Sequence, residues 1–186
     1  MQSVGVGEKL VERCSDKLAK AHQLKDEGNR EFKAGGYRAA IKKYHHSLMY
    51  TRGVVSTGDV SAIPGMEQMV KYVATEDEKI AAKELSLILS NNLAACFLKT
   101  GKWEKVLEYA SKVLEGDPDN SKALFRRGTA RIHLNEPDKA REDLSRAQSL
   151  TPDNKEIKKQ LALLEKKTRE LEEKEKKLYS TMLGGQ

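Results

Sequence analysis

Cysteine is almost absent from this chain. Only Cys14 and Cys96 occur, 82 residues apart and with no metal-spaced histidine beside either. A disulfide framework and a thiolate zinc site are therefore excluded as organising devices. Both cysteines fall at apolar helical positions, where a free thiol acts as a small hydrophobe, and reduced thiols fit a cytoplasmic setting. Proline is limited to four residues, aromatics to 5%, and tryptophan to Trp103 alone. So little proline leaves long helices uninterrupted. So few aromatics offer little on which nucleic-acid bases could stack. No apolar run reaches the length of about 18 residues that a membrane-spanning helix needs. Met1 to Gly7 has no charged leader followed by an apolar stretch, so no secretory signal is expected.

Charge of one sign is missing too. The 34 basic residues are interspersed with 28 acidic ones, for a net +6. A basic balance admits nucleic acid, a membrane surface or an acidic partner, but dispersed charge is a weak nucleic-acid footprint. A catalytic set is also lacking. His22, His45, His46 and His133 are the only histidines. His45 and His46 are adjacent, so on a helix they point in different directions. No serine–histidine–aspartate grouping, phosphate-cradling glycine loop or isolated carboxylate pair stands out. No enzyme activity, cofactor or metal is expected.

What the chain does contain is a period. Pro118-Asp119-Asn120 returns as Pro152-Asp153-Asn154, 34 residues on. Gly101 and Asn135, Trp103 and Pro137, Ala94 and Gly128, and Leu114 and Gln148 share that interval. A 34-residue period is that of a helix-turn-helix repeat, and stacked helical hairpins build grooves.

Apolar spacing places the helices. Val11, Cys14, Leu18, Ala21 and Leu24 mark one from about Glu8 to Ala34, stopped by Gly35-Gly36. Its return partner runs from Tyr37 to about Arg52, with Ala40, Ile41, Tyr44 and Leu48 facing inward. Gly53 to Gly65 reads as a loop. A helix resumes between Met66 and Ala81 and continues to Gly101, and Trp103 to Leu114 is its partner. Ser121 to Leu134 and Asp138 to Leu150 form a third hairpin. Pro118 and Pro152 sit in the short links. Gly35 to Gly101 is 66 residues; removing one period leaves 32 inserted residues, centred on about 51–80.

Lys155 to Leu183 reads as one further helix. Ile157, Leu161, Leu164, Leu171 and Leu178 share a seam, interrupted by Thr168 and Glu175. Its first half suits a cap over the last repeat, and its charged second half projects into solvent. The expected organisation is a tail over 1–7, three hairpins over 8–154, and a capping and extension helix over 155–186.

These residues carry a resemblance. The chain resembles the tetratricopeptide repeat family over roughly residues 18 to 154. Gly28, Ala94 and Gly128 stand at the family's small position, and Ala40 and Ala140 at the small position of the second helices, where Val106 departs. Tyr37 and Trp103 fill its bulky position, where Pro137 departs. Within the family the likeness is to the repeat domains of large immunophilins and of tetratricopeptide repeat protein 9. It rests on Lys25 with Gly28-Asn29, on Asn92-Leu93-Ala94-Ala95-Cys96, on Lys122 to Gly128, and on Glu175 to Tyr179. The implied fold is all-α: a three-repeat helical solenoid with a C-terminal capping helix.

Five polar residues recur on the first helices of the hairpins. Lys25 and Asn29 are four apart and share a face; so do Lys122 and Arg126, with Asn92 on the helix between. Singly, each is ordinary: cations four apart form a solvated face, and helical asparagines bond to their neighbours. Together they make three cations and two amides with no carboxylate among them. That suits a ligand with two carboxylates, such as a free C-terminal aspartate. By the resemblance, these five match the family's dicarboxylate clamp, which holds the Glu-Glu-Val-Asp tail of the 90-kDa and 70-kDa heat-shock chaperones. Phe32 and Ala95, about one turn on, are expected to wall the groove. The implied function is that of a cytoplasmic co-chaperone or adaptor. The competing reading puts the function on the C-terminal helix. Lys155 to Lys177 carries nine basic and six acidic residues, and a basic amphipathic helix can be a calmodulin-type target or a membrane-surface element. Glu170, Glu172, Glu173 and Glu175 argue against both.

Overall fold

A computed structural model describes residues 13–56 and 73–183. Every regular element among them is an α-helix. The chain falls into two compact units, Met1–Leu89 and Ser90–Gln186.

In the first unit, α1 (Cys14–Lys33) and α2 (Tyr37–Val55) form a hairpin. Gly35 ends α1 in the left-handed region at φ +79°, where a side chain would be strained. The N–H of Gly36 then bonds back to the Glu31 carbonyl at 2.8 Å. The two helices approach closely because Gly28 has no side chain. A Cβ there would lie 2.6 Å from Tyr44 Cε1. Ala21, Leu24, Ala40, Tyr44 and Leu48 are buried on the facing sides.

Helix α2 runs further than its sequence suggests. Gly53 lies inside it, not in a loop, because Val54 is wholly buried with Cys14, Ala74 and Ala82. Burial of that valine outweighs the roughly 1 kcal/mol that a helical glycine costs. Helix α3 (Glu76–Lys99) begins in this unit. Thr75 and Glu78 form its capping box: Glu78 N–H donates to Thr75 Oγ1 at 3.2 Å, and Thr75 N–H to Glu78 Oε2 at 2.9 Å. The expectations for residues 1–12 and for 57–72 of the insertion lie outside the described residues.

The second unit holds the rest of α3, then α4 (Trp103–Gly116), α5 (Ser121–His133), α6 (Pro137–Leu150) and α7 (Lys155–Leu183). Phe97 of α3 stacks on Tyr109 of α4 with centroids 5.5 Å apart. Helix α5 packs against α4 and α6, and α6 against α7. Here the period acquires its physical cause. Gly101 (φ +68°) and Asn135 (φ +60°) each end the first helix of a hairpin in the left-handed region, as Gly35 does. Asparagine is the side chain that tolerates this conformation best. Gly128 repeats the close approach of Gly28: a Cβ would meet Leu144 Cγ at 2.7 Å.

Asp143, on α6, is 4% exposed. Arg127 donates to it twice, at 2.9 and 2.7 Å, and Arg131 once, at 2.8 Å. This buried ion cluster ties α5 to α6. Trp103 is half-buried rather than fully buried, and its indole stacks on His133 with centroids 3.8 Å apart. Helix α7 caps the repeats with Ile157 and Leu164, which pack into the core with Ile132, Ala140 and Leu144 or are wholly enclosed. From Arg169 to Met182 its residues are exposed.

Candidate functional site

In the first unit, Lys25 and Asn29 sit one turn apart on α1. The Lys25 ammonium is 3.3 Å from the carboxylate of Asp26, its sequence neighbour. That contact puts a carboxylate where the sequence reading had none. It is a weak competitor, because Asp26 is exposed and such surface pairs contribute about 0–1 kcal/mol. Asn29 is held more firmly. The Tyr44 hydroxyl donates to Asn29 Oδ1 at 2.8 Å, so a buried residue of α2 orients this amide. Phe32 packs edge-on against Tyr37 at 5.3 Å. It is half-buried at the end of the hairpin, leaving part of the ring exposed.

In the second unit, Asn92 and Ala95 are half-buried on α3, while Lys122 is exposed on α5. Arg126, one turn on from Lys122, is the most enclosed of the predicted cations. Burial pulls its guanidinium below the usual arginine range, with a small opposing contribution from Cys96. Burial likewise pushes the Cys96 thiol up to about 11, so it stays neutral and uncharged beside Arg126. Among the described residues, no acidic side chain pairs with Arg126. Its Nη1 donates instead to Oδ1 of Asn91.

Asn91 is the residue that sequence reasoning missed. It precedes Asn92, and adjacent helical side chains diverge by about 100°. Asn91 faces α5 and continues a chain of amides. Its Nδ2 lies 3.4 Å from Asn120 Oδ1. Asn120 caps α5 by accepting the Ala123 N–H at 3.0 Å, and it donates to Asp117 at 2.9 Å. The tandem Asn91-Asn92 in an otherwise apolar helix segment was the available signal.

The enclosed arginines Arg127 and Arg131 differ. Both already have a carboxylate in Asp143. Arg126 is thus a desolvated cation with a neutral partner, and an anion is the chemistry it lacks. Among the described residues, no group of three histidine, cysteine or acidic side chains could hold a metal ion. No described helix is long and apolar enough to cross a membrane.

Known proteins match this architecture. The tetratricopeptide repeat family matches residues 97–164. The mouse (Mus musculus) peptidyl-prolyl cis-trans isomerase FKBP4 is 34% identical over 168 residues, covering 90% of this chain and 33% of its own length. The chain therefore spans about a third of the length of that curated relative. The C. elegans myosin chaperone UNC-45, solved in complex with an Hsp90 peptide, superposes with a TM-score of 0.63 at 29% identity, over 81% of this chain and 14% of the other. The second TPR domain of human RPAP3, solved with the HSP70 peptide SGPTIEEVD, gives a TM-score of 0.55 at 27% identity, over 80% of this chain and 98% of the other. With the 34-residue period, the left-handed residue after each first helix and the glycine-mediated approach of paired helices, these likenesses make the chain a member of the tetratricopeptide repeat family, all-α with a C-terminal capping helix.

Proposed function

We propose that this chain is a non-catalytic, cytoplasmic protein-interaction module of the co-chaperone type. Its ligand is the acidic C-terminal tail, ending in Glu-Glu-Val-Asp, of a heat-shock chaperone of the 90-kDa or 70-kDa class. Lys25, Asn29, Asn92, Lys122 and Arg126 act as the dicarboxylate clamp, with Phe32 and Ala95 as apolar wall. The observation that carries this reading is Arg126: a half-buried guanidinium whose hydrogen-bond partner is the neutral amide of Asn91 and which has no carboxylate partner among the described residues. A partly desolvated cation without a counter-charge is costly, and a carboxylate ligand relieves that cost. Support also comes from the structural relatives solved with Hsp90 and HSP70 peptides.

Few side chains anchor the peptide, so affinity is expected on the order of micromolar. Calorimetry with a free-acid Glu-Glu-Val-Asp peptide and its C-terminal amide tests the reading. The acid binds and the amide does not. Equal binding of the two, or none of either, refutes the clamp.

A second reading rests on α7. Leu171, Leu178, Tyr179 and Met182 are exposed along its distal half, a surface available to a protein partner. Truncation after Glu165 separates the two readings. It spares peptide capture if the clamp is the site and removes the partner if α7 is.

A further inference from the structure

We infer that Asn91 is a positioning residue for Arg126: it holds the guanidinium with a neutral oxygen, fixing its direction while leaving its charge for an incoming carboxylate. The inference rests on the function proposed above, and it adds a residue outside the five predicted positions.

The chain of hydrogen bonds starts at the cap of α5. Asn120 Oδ1 accepts the Ala123 N–H, so that atom is an acceptor and cannot be the amide nitrogen. Asn120 Nδ2 donates to Asp117 Oδ2, which agrees with the same orientation. The Asn91 atom beside Asn120 Oδ1 must then be a donor, which assigns it as Nδ2. Only Oδ1 of Asn91 remains to face Arg126, and an oxygen is what a guanidinium needs. The orientation of each amide follows from the one before it, and the chain begins at a backbone N–H that cannot be reversed.

The choice of asparagine has a consequence. A leucine at 91 would leave the Arg126 N–H without this acceptor in an enclosed site. An aspartate would neutralise the guanidinium and occupy it, acting as an internal copy of the ligand. Asparagine avoids both outcomes. A guanidinium carries five N–H donors, and one amide oxygen leaves most of them for a carboxylate. The contact to Asn91, itself anchored at a helix cap, holds Arg126 in place before any ligand arrives, which lowers the ordering cost of binding.

The test uses the full chain with Asn91→Asp and Asn91→Leu, read by thermal unfolding and by calorimetry with the free-acid Glu-Glu-Val-Asp peptide over a salt series. Asn91→Asp gives up the weak 3.4 Å donor contact to Asn120 Oδ1 and gains an ion pair with Arg126, so it is expected to melt near the wild-type temperature yet bind the peptide about tenfold or more weakly, the loss of one charge-assisted pairing. Its affinity should also fall less steeply with salt, because one cation is already neutralised. A purely structural role would leave the salt slope unchanged. Asn91→Leu should lower both melting temperature and affinity. A thermal double-mutant cycle with Arg126→Met reads the pairing without any peptide, and non-additive stabilities are expected. If the wild-type chain binds no peptide but the cycle shows coupling, the proposed ligand is wrong and the pairing stands. Additive stabilities, or an Asn91→Asp chain that binds with wild-type affinity and salt slope, overturn the inference.

Discussion

The hydroxyl of Tyr44 donates to Asn29 Oδ1 across the first hairpin at 2.8 Å, while the same ring lies over Gly28. One aromatic side chain therefore closes α1 onto α2 and orients an amide of the proposed clamp. Packing and recognition share a residue here, and they can be separated by removing the oxygen alone.

Tyr44→Phe keeps the ring over Gly28 and deletes the donor. It should cost about 0.5–1.5 kcal/mol of stability, the worth of one hydrogen bond. Peptide affinity should fall several-fold because Asn29 loses its tether. Urea denaturation and peptide calorimetry on the same preparation measure both effects.

Gly128→Ala sets two helix effects against each other. Alanine favours a helix over glycine by about 1 kcal/mol. Its Cβ, however, would sit 2.7 Å from Leu144 Cγ and 3.2 Å from Asp143 Cβ. Overpacking of this kind costs about 1–3 kcal/mol, so the net change is destabilising. A Leu144→Ala background, which removes the 2.7 Å clash and leaves only the 3.2 Å approach of Asp143 Cβ, should make the same substitution markedly less destabilising. Denaturation midpoints of the four chains decide it.

Asp143→Asn leaves Arg127 and Arg131 without the carboxylate they share in the core. Loss of one partner from a buried ion cluster costs about 3–5 kcal/mol. The drop should appear as a lower melting temperature, measured by circular dichroism at 222 nm, the band that reports helix. Arg127→Met in the Asp143→Leu background should recover part of the loss.

Acid should weaken the chain through Glu108. Hydrogen bonds from Lys105 and Lys112 hold its carboxyl down at about 2, against an ordinary value of 4.5. The folded state thus binds the proton less readily than the unfolded state. Stability from this group is present above pH 4.5 and is lost as the pH falls towards 2. The site is partly exposed and screened, so the contribution is under about 1 kcal/mol. Melting curves of wild type and Glu108→Gln should differ at neutral pH and converge near pH 2.

The repeated Pro-Asp-Asn, the 34-residue interval and the small residues at 28, 94 and 128 made an all-α repeat fold legible before any coordinates. Each has a local cause that a sequence can carry. A residue after each first helix must enter the left-handed region, so glycine or asparagine recurs there; a close helix crossing admits no side chain, so glycine recurs at 28 and 128. The start of α3 was not read so closely: apolar spacing alone put it anywhere from Met66 to Ala81, and the Thr75–Glu78 capping box that fixes it emerged only in the structure.

Other features waited for the tertiary structure. Gly53 reads as a breaker, yet the buried Val54 beside it keeps α2 helical. Asp143 looks like one of many surface acids until α5 brings two arginines to it. Asn91 and Asn92 are chemically identical neighbours, and a one-dimensional pattern cannot say which of them faces α5. Local conformational requirements are written residue by residue, so the sequence determined the helices, their turns and their period. Which charge is enclosed, and which amide meets it, depends on the direction a side chain takes after two helices pack, and only the folded chain decided that.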